Sequence, residues 1–283
     1  MKQAILFIFF FLAAFNCITA GEKDSTLNRW NPSLKVELNL SQIAFQDWSK
    51  GGENSFSFVG KINWKMKYKT ENWSFENEFA AAAGRSRVEP DIIKTTANEM
   101  YNQSVFRFDI YDAYQSPFIS LLIRTPITPG YDYKVTPEKV ISGFFDPGYV
   151  TQSVGVFYSK SNVFKTRLGL AFEESFANKF ADRYTDNAET TTLEYFKFET
   201  GIESVSDLNV NLDKDIIYKS TLRLFSGFDR LSVWDVIWKN TLTAKFNEWF
   251  NVNLFFLLVY NTKESLRTQM QESIQIGIVY RIL

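Results

Sequence analysis

From Ser55 to Lys69 the chain alternates. Phe56, Phe58, Ile62, Trp64, Met66 and Tyr68 fall on one face, and Ser55, Ser57, Lys61, Asn63, Lys65, Lys67 and Lys69 fall on the other. A period of two is the signature of an extended strand with unlike faces. Strands of soluble proteins are mostly about 5 to 6 residues long, whereas a tilted strand that crosses a bilayer needs about 9 to 11. The pattern recurs, giving strand candidates near 34–40, 55–69, 73–84, 101–113, 117–124, 150–158, 164–172, 195–203, 216–228, 236–246, 250–260 and 274–282. The expected fold is all-β, a transmembrane antiparallel up-and-down β-barrel of about twelve strands, or ten if the fifth or eighth candidate is not a strand.

Outer-membrane barrels alternate short periplasmic turns with longer outer loops. The links 70–72, 114–116, 159–163, 206–215 and 247–249 form the short set, with 206–215 its weakest member. Those at 45–54, 85–100, 125–149, 174–194, 227–234 and 261–272 form the long set. Both ends of the barrel then face the periplasm, and the strand number is even. Tyr68, Trp73, Trp249 and Tyr280 are predicted at the periplasmic rim, with Trp234 and Tyr260 at the outer rim. Together they would form an aromatic girdle at the bilayer interfaces. A soluble sandwich or lipocalin-like barrel is the competing reading of the same aromatics.

The N-terminus stands apart from this pattern. Lys2, the apolar run Ala4 to Phe15 and the small-residue end at Ala20 read as a signal peptide, 1–20, cleaved after about Ala20. Lipidation at Cys17 is the alternative. A short periplasmic segment, 21–32, would follow, and 33–283 would form the barrel. No later stretch approaches the roughly 20 apolar residues of a membrane helix. Net charge is -1, which offers no attraction for nucleic acid. Aromatic residues make up 17% of the chain, which suits a lipid-facing band.

The segment Leu38 to Ser55 carries Asn39, Leu40, Ser41, Gln42, Phe45, Trp48, Gly51, Gly52 and Asn54 at a characteristic spacing. It resembles the N-terminal signature of the DUF3078 family of Bacteroidota outer-membrane proteins. The resemblance implies an outer-membrane barrel in such a cell and brings no activity with it. Physically, Gly51 and Gly52 suit a hairpin turn, and the loop could also bind a ligand.

The chain contains no histidine, so a Ser-His-Asp arrangement is impossible. The only cysteine lies in the leader, so a Cys/His zinc site is excluded from the mature chain. Lys61, Lys65, Lys67 and Lys69 are spaced to pair with Glu76 and Glu78 across neighbouring strands, and Arg167, Lys197 and Glu199 extend a charged lumen lining. Asp182, Asp186 and Glu189, with Glu173 and Glu174, form an acidic outer loop without the spacing of a calcium loop. The predicted protein is a non-enzymatic outer-membrane barrel, structural or partner-binding, with a largely plugged lumen. Its alternative is a narrow pore that leans towards anions. No cofactor or metal is expected. The expected partners are the lipid bilayer of the outer membrane, the barrel-assembly machinery during biogenesis, and a protein at the outer loops. At the C-terminus, Tyr280 is the aromatic in phase with the lipid-facing positions.

Overall fold

The structure, a computed structural model, describes residues 27–43, 55–88, 92–109, 115–159, 163–186, 191–261 and 265–282. The proposed leader with Cys17, and Phe45, Trp48, Gly51, Gly52 and Asn54 of the signature, lie outside the described residues.

Twelve long strands close on themselves. They are β1 (Trp30–Ile43), β2 (Ser55–Lys69), β3 (Trp73–Val88), β4 (Ile92–Phe108), β5 (Gln115–Thr125), β8 (Gly148–Ser159), β9 (Phe164–Phe176), β10 (Phe196–Asn211), β11 (Ile216–Gly227), β12 (Asp235–Lys245), β13 (Phe250–Asn261) and β14 (Ser265–Arg281). Each pairs antiparallel with its chain neighbour, β5 pairs β8, and β1 pairs β14 to complete the barrel. The short strands β6 (Gly130–Asp132) and β7 (Lys139–Ser142) form a separate hairpin within the link from β5 to β8. A single helical turn, α1 (Ala181–Tyr184), lies in the link from β9 to β10. The count is therefore twelve rather than ten, and the barrel is an up-and-down one with one excursion.

Alternation sorts the side chains. Phe56, Phe58, Ile62, Val154, Val156, Leu168, Leu170, Leu254, Ile274 and Ile276 are exposed on the outer wall, whereas Val59, Glu37, Asn39, Thr151, Glu173, Glu203 and Asn253 are buried inside. A closed barrel leaves no unpaired sheet edge, and an apolar outer surface on such a barrel is the arrangement a hydrocarbon phase requires. Among the described residues, no helix is long and apolar enough to cross a membrane.

Several predicted boundaries move. The link expected at 85–100 is mostly strand, because β3 runs to Val88 and β4 starts at Ile92. The link at 261–272 likewise shrinks, since β14 begins at Ser265. That at 206–215 shortens to 212–215, because β10 reaches Asn211. These extensions share a cause. Strands of 16 and 17 residues outrun the roughly 9 to 11 that the bilayer demands, and where a strand protrudes into water neither face must be apolar. The barrel also begins ahead of 33, with Trp30 paired to Tyr68 and Pro32 to Met66. Pro32 is tolerated because β14 joins β1 only from Lys35 onward, so no ladder donor is lost on that side.

The lumen as candidate functional site

Register decides what meets in the interior. On β2 and β3, Lys65 stands directly opposite Glu78 and Lys67 opposite Glu76. Their ion pairs measure 2.9 Å and 3.1 Å. Glu78 also accepts from Asn63 at 2.6 Å and from the Tyr101 hydroxyl at 3.0 Å. Lys61 stands outside the ladder. Its partner position is Ala82, and its ammonium instead reaches Gln275 Oε1 at 3.4 Å and lies 5.5 Å from the Phe255 ring centre.

The facing wall, from β5 through β8 to β11, is built differently. Arg223 donates through Nε to Glu203 at 2.6 Å and through Nη2 to Glu173 at 2.7 Å. Thr151 donates to Glu173 at 2.9 Å, and Ser153 donates to the other oxygen of Glu203. The side chains of Arg223, Glu173 and Glu203 are only 9%, 2% and 3% exposed. Glycine lets two strands of this wall approach closely. Gly155 and Gly169 are paired across β8 and β9, and a Cβ on Gly155 would lie 2.1 Å from the Leu168 carbonyl oxygen. Arg124 stacks 5.0 Å from the Tyr149 ring centre with one nitrogen 3.8 Å from Glu173.

A third cluster stitches the closing seam. Asn253 on β13 donates to Glu37 on β1 at 2.8 Å, and its reach across β14 passes over Gly277, where a Cβ would sit 2.3 Å from Asn251 Oδ1. Near the rim where β12 begins, Glu199 accepts from Arg230 at 3.2 Å with Lys197 at 3.7 Å, and Arg230 also holds Asp235 at 2.9 Å. Arg167 faces the cavity, 6% exposed, with its Nε unpaired.

The strand order sets β4 and β12 diametrically opposite each other. Glu99 on β4 and Lys239 on β12 nevertheless meet at 3.1 Å, and Lys239 lies 5.5 Å from the Tyr101 ring centre. This crossbar narrows the lumen. Beside it, the segment 126–147 is tied to β4. Asn98 accepts from the backbone N–H groups of Ile127 and Thr128 at 3.0 Å and 2.8 Å and donates to the Thr128 carbonyl at 2.7 Å. The Tyr133 hydroxyl accepts from the Thr95 N–H at 2.7 Å. The segment is thus held against Thr95 and Asn98, two residues of the cavity lining.

A cavity of about 1650 Å³ nevertheless runs through the interior, bounded by Lys69, Ser74, Asp215 and Lys245 at the end where β1 begins and by Thr95, Ala97 and Gln271 towards the other. Fourteen basic side chains and seven acidic ones line it among the described residues. Over a hydrocarbon thickness of roughly 30 Å that volume averages to a cross-section of about 55 Å², a radius near ~4 Å.

Of the signature residues, Ser41 and Gln42 lie at the end of β1, opposite Ser57 and Phe56. Among the girdle aromatics, Tyr68 stacks on Trp73 at 5.2 Å and meets Trp30 at a tilt at 5.0 Å, Trp73 continues to Phe106 at 5.3 Å, and Trp249 meets Tyr280 at 5.9 Å. Trp234 and Tyr260 lie at the opposite end, Trp234 just ahead of β12 and Tyr260 paired with Val236. Sequence reasoning missed Arg223, Glu203, Thr151 and Ser153, and it assigned Glu173 to an acidic loop. The alternation of Leu168, Leu170 and Phe172, carried one residue further, would have placed Glu173 inside. No group of metal-ligating side chains occurs among the described residues.

Residues 40–131 match a family described as protein of unknown function, DUF3078. No curated protein matches the chain. Solved structures similar to it include an outer membrane channel from Pseudomonas putida F1, at 10% identity and TM-score 0.41, covering 93% of this chain and 98% of that one. The NanC porin aligns at 10% identity and TM-score 0.42, over 88% and 100% of the two chains. The translocator domain of the autotransporter NalP from Neisseria meningitidis aligns at 8% identity and TM-score 0.38, over 99% and 97%.

Proposed function

We propose that this chain is a non-enzymatic outer-membrane β-barrel whose lumen passes small solutes with a preference for anions. The charge imbalance of the cavity carries the reading. The chain as a whole is balanced, with 31 basic and 32 acidic residues, yet the lining holds twice as many cations as carboxylates. Counting the buried Glu173 and Glu203 leaves an excess of five. Fixed charge along a narrow aqueous path sets the sign of the ions it admits. The constriction is not a structural plug. Glu99 and Lys239 have side chains 50% and 32% exposed, and an ion pair so wet contributes about 0 to 1 kcal/mol.

Planar-bilayer recording tests this. Reproducible unitary steps are expected, with a reversal potential in a potassium chloride gradient on the chloride side. A silent membrane, or cation selectivity, rejects the pore.

A second reading, a closed barrel that meets a protein partner, draws on the segment 126–147 and its ties to Asn98. Retention of the barrel in the outer membrane, delivery by a leader cleaved after about Ala20, and handling by the barrel-assembly machinery through Tyr280 and Ile282 belong to the same proposal. Tyr280 and Ile282 are exposed on the outer wall.

A further inference from the structure

Among the described residues, every fully buried charged side chain but one takes part in an ion pair. Arg167 is 6% exposed, lines the lumen cavity, and has no ion pair among the described residues, with its Nε lacking any hydrogen-bond partner. In register it stands between Phe157 on β8 and Val205 on β10, neither of which can receive a guanidinium hydrogen bond. The carboxylates around it are engaged elsewhere. Glu203 is held by Arg223 at 2.6 Å and by Ser153. Glu76 is paired with Lys67 at 3.1 Å, and Asp207, opposite Lys165 in register, accepts from Thr221 at 2.7 Å and attracts Arg167 from beyond ion-pair distance.

Two residues before it on the same face of β9 is Lys165, also lining the cavity and without an ion pair among the described residues. Side chains two apart on a strand share a face and stand roughly 6 to 7 Å apart. The charged groups acting on Lys165 include Lys67 and Arg107 as well as Glu76 and Asp207. Arg107 lies 5.0 Å from the ring centre of Phe157, the register neighbour of Arg167.

A buried guanidinium without a direct ion pair is costly, and its planar fork matches an oxyanion bidentately where an ammonium offers a point charge. We propose that Arg167 and Lys165 form a binding site for a small oxyanion carrying two negative charges, phosphate or a dicarboxylate, in the half of the lumen where β1 begins and β14 ends. The site deepens the anion-preferring reading of the lumen and rests on it for solute access. The guanidinium fixes one edge of the ligand, and the lysine neutralises its second charge. The carbon walls of Phe157 and Val205 exclude competing water.

Calorimetric titration of the refolded barrel in detergent micelles with inorganic phosphate, at constant ionic strength set with chloride, tests the site. Saturable binding is expected, displaced by succinate. Arg167→Gln and Lys165→Gln should each weaken phosphate by about tenfold or more, the loss of a charge-assisted hydrogen bond, while circular dichroism and heat-modifiable gel migration show a folded barrel. Lys165 is half-buried, so its variant decides the matter if Arg167→Gln does not fold. Equal affinity in variants and parent, or displacement of phosphate by chloride alone, overturns the site. Phosphate binding by a barrel that is silent in bilayers rejects the pore and keeps the site. Anion-selective steps without saturable binding keep the pore and reject the site.

Discussion

The two walls of the lumen use the same residue types to opposite ends. On β2 and β3 the Lys67 and Glu76 side chains are 47% and 40% exposed, so water screens their attraction and either partner can be lost cheaply. On β8 to β11, Glu173, Glu203 and Arg223 have been taken out of water and depend on one another. Removing a single member there strands the rest. One wall is thus a wet lining that can answer to solutes, and the other is a framework whose charges are already spent. Arg167 shares the burial of the second wall but joins the ion pairs of neither among the described residues.

The comparison breaks most decisively at Arg223. Arg223→Met leaves Glu173 and Glu203 buried without their cation and should cost about 3 to 5 kcal/mol, read by urea unfolding of the barrel in lipid vesicles through tryptophan fluorescence. A loss below 1 kcal/mol would mean that the second wall is as wet as the first. The outer surface comes next. Ile62→Arg on the apolar face should cost about 2 to 4 kcal/mol in the same assay, whereas the neighbouring Asn63→Arg, directed into the lumen, should cost much less. Equal losses would reject the assignment of faces. The smallest effect on stability is expected at Lys67. Lys67→Gln should change it by no more than about 1 kcal/mol while shifting the reversal potential away from the chloride side, so that stability and selectivity separate on the wet wall.

What the sequence shows follows from where the bilayer acts. The faces of β2 and β13 are readable because lipid forces Phe58, Ile62 and Leu254 outward, and the pairing of Lys65 with Glu78 follows once the turn at 70–72 fixes the register. The ends of β4 and β14 are not readable, because around Thr95 and Gln271 the strands stand beyond the apolar band and carry polar residues on both faces. Nor does alternation disclose the buried network. Period two says that Arg223 and Glu203 point inward, but it does not distinguish a dry inward position from a wet one such as Lys67. The crossbar of Glu99 and Lys239 joins residues 140 apart in sequence, and no local pattern anticipates it.

The seam between β1 and β14 carries a further consequence. β1 is matched to β2 from Trp30 to Ile43 but to β14 only from Lys35 to Leu40. Every other joint in the barrel links strands close in the chain, while this one brings the two extremes together, and loop-closure entropy grows with the span enclosed. Closure is therefore the most non-local event in folding, the kind that slows a β topology. Until it occurs, the molecule is an open sheet with two adhesive edges. The asparagines gathered over Gly277 serve as the clasp that makes a short, late zipper hold.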